Sequence, residues 1–247
     1  MKKVLFLLCS VLLVLGSCGQ SGNKDGYLIK GTAEGTVDGD TVFMAQTNGY
    51  LGTYLLDTAI VKGGKFEMEG TYDGADVVYL VALHQRQPAA ITAIVLENAD
   101  YDVKMYKDPE KNRPEVKGGQ AQTLYDAYQE ELEKMYNSAD TVTLAYLQDS
   151  TSTSEQREKA ENVLKELDKK YGEITKQAIL KNIPSAFSDM LFGYSLNSLS
   201  REERDEIMAA MEKSGKQYRF YRLLKEILDT AVKEGKDTSA VEELLKW

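Results

Sequence analysis

Between Tyr27 and Tyr106 the apolar positions recur at every second residue. Tyr27, Ile29 and Gly31 alternate with Leu28, Lys30 and Thr32; in KFEMEG, Phe66 and Met68 take one side and Lys65, Glu67 and Glu69 the other. A period of two predicts strands with one face in water. LLDTAIV and KFEMEG are separated by Lys62-Gly63-Gly64, a spacing that predicts a hairpin whose glycines supply positive φ. DVVYLVAL is apolar and β-branched throughout, the pattern of a strand buried on both faces. AAITAIVLE and YDVKMY, joined by the turn-like ENAD, complete a set of short strands that predicts a β-sandwich over residues 27–106.

The period then changes. KDPEKNRPEVKGG, with Pro109 and Pro114, reads as a linker over residues 107–118. From Gln120 the apolar residues fall at helical spacing: Leu124, Tyr128, Leu132 and Met135 share one face, and Val163, Leu167, Tyr171, Ile174 and Ala178 another. Thr153 with Gln156, and Ser200 with Glu203, have the spacing of capping boxes. Pro184 ends one helix, because a prolyl nitrogen has no hydrogen to donate. Phe220, Leu223 or Leu224, Ile227 and Ala231 predict a further amphipathic helix, and TSAVEELLKW a last short one. The expected class is α+β: an N-terminal antiparallel β-sandwich followed by an all-α helical domain over residues 119–247. The length permits one compact unit or two domains.

At the other end, Lys2 and Lys3 precede an apolar run from Val4 to Leu15. Twelve helical residues reach only about 18 Å, short of a bilayer core of about 30 Å, so the run reads as a secretory signal over residues 1–17. Leu15-Gly16-Ser17-Cys18 resembles the lipobox of bacterial lipoproteins. That resemblance implies that Cys18 becomes the first mature residue and carries acyl chains, two or more of which anchor stably where one does not. Residues 18–26 then read as the lipidated cysteine and a flexible tether.

Composition narrows the chemistry. The chain has two cysteines, Cys9 and Cys18, and one histidine, His84. With Cys9 removed and Cys18 acylated, no thiol, disulfide or cysteine ligand remains. Ser-His-Asp and Cys-His catalysis and the usual His/Cys zinc sites are then not expected, and His84 reads as a strand-end residue. Loss of Lys2 and Lys3 takes the net charge from −9 to −11, which argues against nucleic acid as a partner. VKGGKFEM lacks the spacing of a phosphate-binding loop. Asp38 with Asp40, and Glu97 with Asp100 and Asp102, are acidic clusters without a recognisable calcium loop, and they read as turn residues; Asp100 and Asp102 would share one face of an exposed edge. No metal or cofactor is expected.

The remaining candidates are contact residues. Tyr50, Tyr54, Tyr72, Tyr79 and Tyr101 fall in the strand half, where they would form a platform for glycan or peptide, or serve as half-buried strand residues. Tyr50, Tyr54, Tyr79 and Asp57 are the ligand or partner contacts expected. Tyr218, Phe220 and Tyr221, in the basic stretch KQYRFYRLLK, form a second candidate contact patch.

The motifs Ile29 with Gly31, Asp57-Thr58-Ala59, Gly64-Lys65-Phe66 and Leu96-Glu97-Asn98 together resemble the domain of unknown function 4369, found in envelope lipoproteins of Bacteroidota. Ala99 stands where that family often has glycine. In many relatives this region, with the helices after it, precedes a thioredoxin-like domain of the TlpA type bearing Cys-x-x-Cys. The present chain has no cysteine after Cys18, so the resemblance implies the accessory region without the oxidoreductase activity. The expected role is a lipid-anchored, non-enzymatic binding or adaptor module, partnered by the membrane through its anchor and by an envelope protein, possible companions including a separate thioredoxin-like protein. Its expected place is the outer membrane with the body in the periplasm, surface exposure being the other arrangement. A glycan- or peptide-capturing surface lipoprotein is the alternative, and a hydrolase using paired carboxylates the least supported.

Overall fold

The computed structural model describes residues 25–48, 52–108, 110–216 and 218–235. The signal segment, Cys18, most of the tether, Tyr50 and the terminal TSAVEELLKW segment lie outside these residues. Strands come first and helices after, giving an α+β chain: β1 Tyr27–Ala33, β2 Thr41–Asn48, β3 Gly52–Ile60, β4 Lys65–Gly70, β5 Asp76–His84, β6 Gln87–Leu96, β7 Asp100–Met105 and β8 Glu115–Gly118, then α1 Gln120–Asn137, α2 Thr141–Leu144, α3 Ser154–Lys181, α4 Ala186–Ser195, α5 Arg201–Ser214 and α6 Arg219–Lys233.

The strands form two four-stranded sheets, β4-β1-β7-β8 and β3-β2-β5-β6. Their inner faces meet in one core that includes Ile29, Met68 and Val103 from the first sheet and Met44, Leu80 and Ile94 from the second. Every pairing is antiparallel except β1 with β7, which run parallel. The one parallel pair departs from the all-antiparallel expectation, and it follows from connectivity. β1 and β7 are separated in sequence by the whole of the second sheet, so no tight turn forces them to run in opposite directions.

Three local expectations are also corrected. The tight turn forms as expected, with Lys62 and Lys65 exchanging backbone hydrogen bonds at 2.9 and 3.1 Å, but no β3–β4 ladder follows it: β3 pairs with β2 and β4 with β1, so Lys62-Gly63-Gly64 carries the chain from one sheet to the other. The two glycines do adopt positive φ, 58° and 70°, and the crossing is held because Val61 donates to the Asp40 carbonyl at 2.8 Å. Period-two patterning identifies strands but not their partners. Second, Asp100 and Asp102 face solvent, yet β7 lies between β1 and β8 rather than at an edge. Third, the expected linker contains a strand. β8 pairs with β7 through residues 115–118, and at Gly118 (φ 106°) an added Cβ would lie 1.9 Å from the Asp100 carbonyl oxygen. With a single apolar residue, EVKG carries no alternation to read.

In the helical half both capping boxes are present, Thr153 with Gln156 on α3 and Ser200 with Glu203 on α5. α3 ends at Lys181, ahead of Pro184. On α6 the inward face is Tyr221, Leu224 and Ala231, whereas Leu223 and Ile227 are exposed. α6 has no side-chain cap of its own; instead Asp189 of α4 accepts the Phe220 and Tyr221 amides at 2.9 and 2.8 Å. Burial, set against those two bonds, holds the Asp189 carboxyl above its ordinary range.

The two halves share a core. Ala75 and Val95 at one end of the second sheet belong to the same buried cluster as Phe187, Met190 and Ile207 of the helices, and Val77 packs against it. Val95 is fixed twice: its amide donates to Gln122 of α1 at 2.7 Å and its carbonyl accepts from Tyr101 at 2.9 Å. Glu97 accepts the Ala121 amide at 2.7 Å and so caps α1.

Candidate functional site

The outer faces of the two sheets differ in kind. On β4-β1-β7-β8 every outward position except Leu28 and Thr32 is charged, and cross-strand ion pairs join opposite signs: Lys30 lies 3.9 Å from Glu67 and Lys104 lies 2.9 Å from Glu115. Such a face is built for water. On β3-β2-β5-β6 the register turns Leu55, Phe43, Tyr79, Val81 and Ile91 outward with alanines, threonines and further apolar residues, and no outward position is charged. The described helices cover this face at Val77 and Val95 and leave its other positions open: Leu55 is 61 %, Ile60 51 %, Ile91 47 % and Tyr79 41 % exposed. The contiguous uncharged face contrasts with a chain in which 28 % of residues are charged; large apolar patches are uncommon on monomers and often serve contacts. Tyr125 of α1 borders it; burial raises the Tyr125 hydroxyl pKa, and the neighbouring Tyr79 adds to that shift.

Beside the covered end lies a concentrated polar cluster. Asp76 opens β5 on the inward side and is 1 % exposed. One of its oxygens accepts the Val77 amide at 3.0 Å and the Tyr194 hydroxyl of α4; the other accepts from Arg219 of α6 and Gln46 of β2, with the Tyr72 hydroxyl at 3.2 Å. Arg219 also lies over the Phe220 ring at 4.5 Å and the Tyr72 ring at 5.6 Å. Burial works against the Arg219 charge, but its bonds to Asp76 and Tyr72 outweigh that and raise its pKa. Burial, reinforced by the Asp76 carboxylate, raises the Tyr194 hydroxyl pKa too. A carboxylate offers about four lone-pair sites, and those of Asp76 are taken by donors of the protein itself. The arrangement is a lock between sheet and helices and has no open acceptor for a general base to use.

The contact residues expected from the sequence are not brought together. Tyr54 is 45 % exposed, but its register partner on β2 is Gln46 while that of Tyr79 is Ala45. Adjacent residues of one strand point to opposite faces, so Tyr54 and Tyr79 do not share a platform. Tyr50 lies outside the described residues. Tyr101 is buried and braces the β6–β7 connection, and Tyr72 belongs to the Asp76 cluster. Asp57 accepts the Thr58 amide at 2.7 Å and the Tyr27 hydroxyl at 3.2 Å, tying edge strand β3 to the first sheet. Burial, followed by Asp57, pushes the Tyr27 hydroxyl up to about 12. Tyr218, Phe220 and Tyr221 do not form a surface patch: Tyr221 is buried, and Phe220 meets Tyr194 edge to face.

The acidic clusters hold turns. Asp38 accepts the Gly63 amide at 2.6 Å, and Asp40 accepts the Val37 amide and shares a 2.8 Å bond with His84 at the end of β5. Among the described residues no three of His, Cys, Asp and Glu are grouped to hold a metal, and no helix is long and apolar enough to cross a membrane. Sequence reasoning missed Asp76 and Arg219. The available signals were a charged residue at an inward position of an otherwise apolar strand, and an arginine set between aromatics.

Residues 27–125 match the family model described as "Domain of unknown function (DUF4369)", a segment that takes in the whole sandwich and the first turns of α1. No curated protein matches the chain.

Proposed function

We propose that this chain, whose residues 27–125 are a domain of the DUF4369 family, is a lipid-anchored cell-envelope protein acting as a non-enzymatic binding or adaptor module. The observation that carries the binding reading is the uncharged, largely open outer face of β3-β2-β5-β6. Non-covalent contacts support holding that face in place: the Asp76 cluster and the Val95 hydrogen bonds tie the sheet to the described helices at one end and leave the other end clear. The full set of donors on Asp76 supports a structural role for this buried carboxylate. Anchoring rests on Leu15-Gly16-Ser17-Cys18, with the body in the periplasm at the outer membrane.

Two measurements test the reading. Radiolabelled palmitate fed to cells is expected to label the chain and to leave Cys18→Ser unlabelled; equal labelling of both would remove the anchor. Affinity capture from envelope extract is expected to recover companions with the native chain that are lost with Tyr79→Gln/Ile91→Thr. Identical recoveries would take the open face out of the function.

A further inference from the structure

We propose that the open face receives one amphipathic α-helix of a partner protein, apolar on the side laid against the sheet and lysine- or arginine-rich along its flank. This rests on the binding role proposed above and specifies the occupant. Size is the first argument. The open area spans three to four strands and about five residues along each, roughly 15 Å by 17 Å, which matches three turns of a helix about 10–12 Å wide. A second copy of the chain fits poorly: a standard interface buries about 800 Å² per partner, several times the plan area available, and each copy carries a net charge of −9.

Strand addition is blocked at the adjoining edge. β3 has an irregularity opposite Met44/Ala45, and the Asp57 carboxylate already engages the Thr58 amide. Bulged and side-chain-capped edges do not extend a ladder readily. At the opposite edge, β6 is closed at Val95 by Gln122 and Tyr101.

Charge sets the flank. Tyr125 borders the open face, and Asp126 beside it begins a row of exposed acids on the adjoining face of α1, continued by Glu130 and Glu133 four and seven residues on. Burial raises the Asp126 carboxyl, and Glu130 raises it further, as in a locally negative strip. An apolar helix with cations on one flank meets the face and this strip together; an acidic flank is repelled.

The test uses two fluorescein-labelled model peptides of roughly 18 residues, with leucine at helical spacing and either lysine or glutamate elsewhere. Binding to the full chain is read by anisotropy at about 0.15 M salt. The leucine–lysine peptide is expected to bind at least about tenfold more tightly than the leucine–glutamate one. Tyr79→Gln/Ile91→Thr, both exposed positions, is expected to weaken it by about tenfold with the circular dichroism unchanged, and Asp126→Asn/Glu130→Gln to weaken it severalfold. Equal binding to the face variant, or no binding of either peptide, overturns the helix as occupant, as does sedimentation of the native chain as a dimer that Tyr79→Gln/Ile91→Thr dissociates. If the peptides fail while envelope capture still depends on Tyr79 and Ile91, the adaptor role stands and the helical partner falls.

Discussion

Asp76 and Arg219 are the pair on which the junction depends. Removing one member of a buried ion pair strands the other, at a cost of about 3–5 kcal/mol. Arg219 is partly open to water, with 30 % of its side chain exposed, so the lower end applies. Asp76→Ala is expected to destabilise the chain by about 3 kcal/mol in urea unfolding, and Asp76→Asn by less, since the amide still accepts one bond. A loss under about 1 kcal/mol for the alanine variant would show that the cluster is relaxed by water. Asp189 gives a pH test. Its folded pKa is raised by burial, so its contribution to stability is fully present below the unfolded value and falls as pH rises through the folded one. Measured against Asp189→Asn, the native chain is expected to lose relative stability as pH climbs out of the acid range. A difference that is flat with pH would refute the shift.

At the scale of elements, the caps separate local from tertiary support. The Thr153 box on α3 and the Ser200 box on α5 are both solvent-exposed and self-contained. Thr153→Ala and Ser200→Ala are each expected to cost about 1 kcal/mol in chemical denaturation, and to be additive, since they sit on different helices. α6 behaves differently, because its first turn is held by Asp189 from another helix. Capping boxes were legible in the sequence because both partners lie three residues apart. The trans-cap was not, because Asp189 and Phe220 are 31 residues apart and nothing local links them. The same distinction explains the strands. Alternation marked Phe66 and Met68 as inward, since it depends only on neighbours one and two residues away. It could not show that β3 and β4 belong to different sheets, since pairing is a property of the whole set of strands.

For the molecule as a whole, the shared cluster around Val77, Val95 and Phe187 couples sandwich to helices. Unfolding is expected to be a single transition when followed by circular dichroism and by amide exchange in the sandwich. In Asp76→Ala the helical signal is expected to melt ahead of sandwich exchange. Coincident loss in the variant would mean that the apolar contacts alone carry the coupling.

What the sequence by itself determined is whatever short-range periodicity and counting can decide: strands before helices, inward residues on most strands, both capping boxes, and the scarcity of thiol and imidazole. It also held the identity of every residue on the uncharged face, but DVVYLVAL read as a strand buried on both sides, because apolar residues on a second face ordinarily mean a second layer. Tertiary structure alone decided that the helices cover Val77 and stop short of Tyr79. It also decided that Tyr54 and Tyr79 point apart, and that Asp76 finds Arg219 across 143 residues. Each of these depends on where elements distant in sequence come to rest, and a one-residue change in register reverses which side of a strand meets the partner.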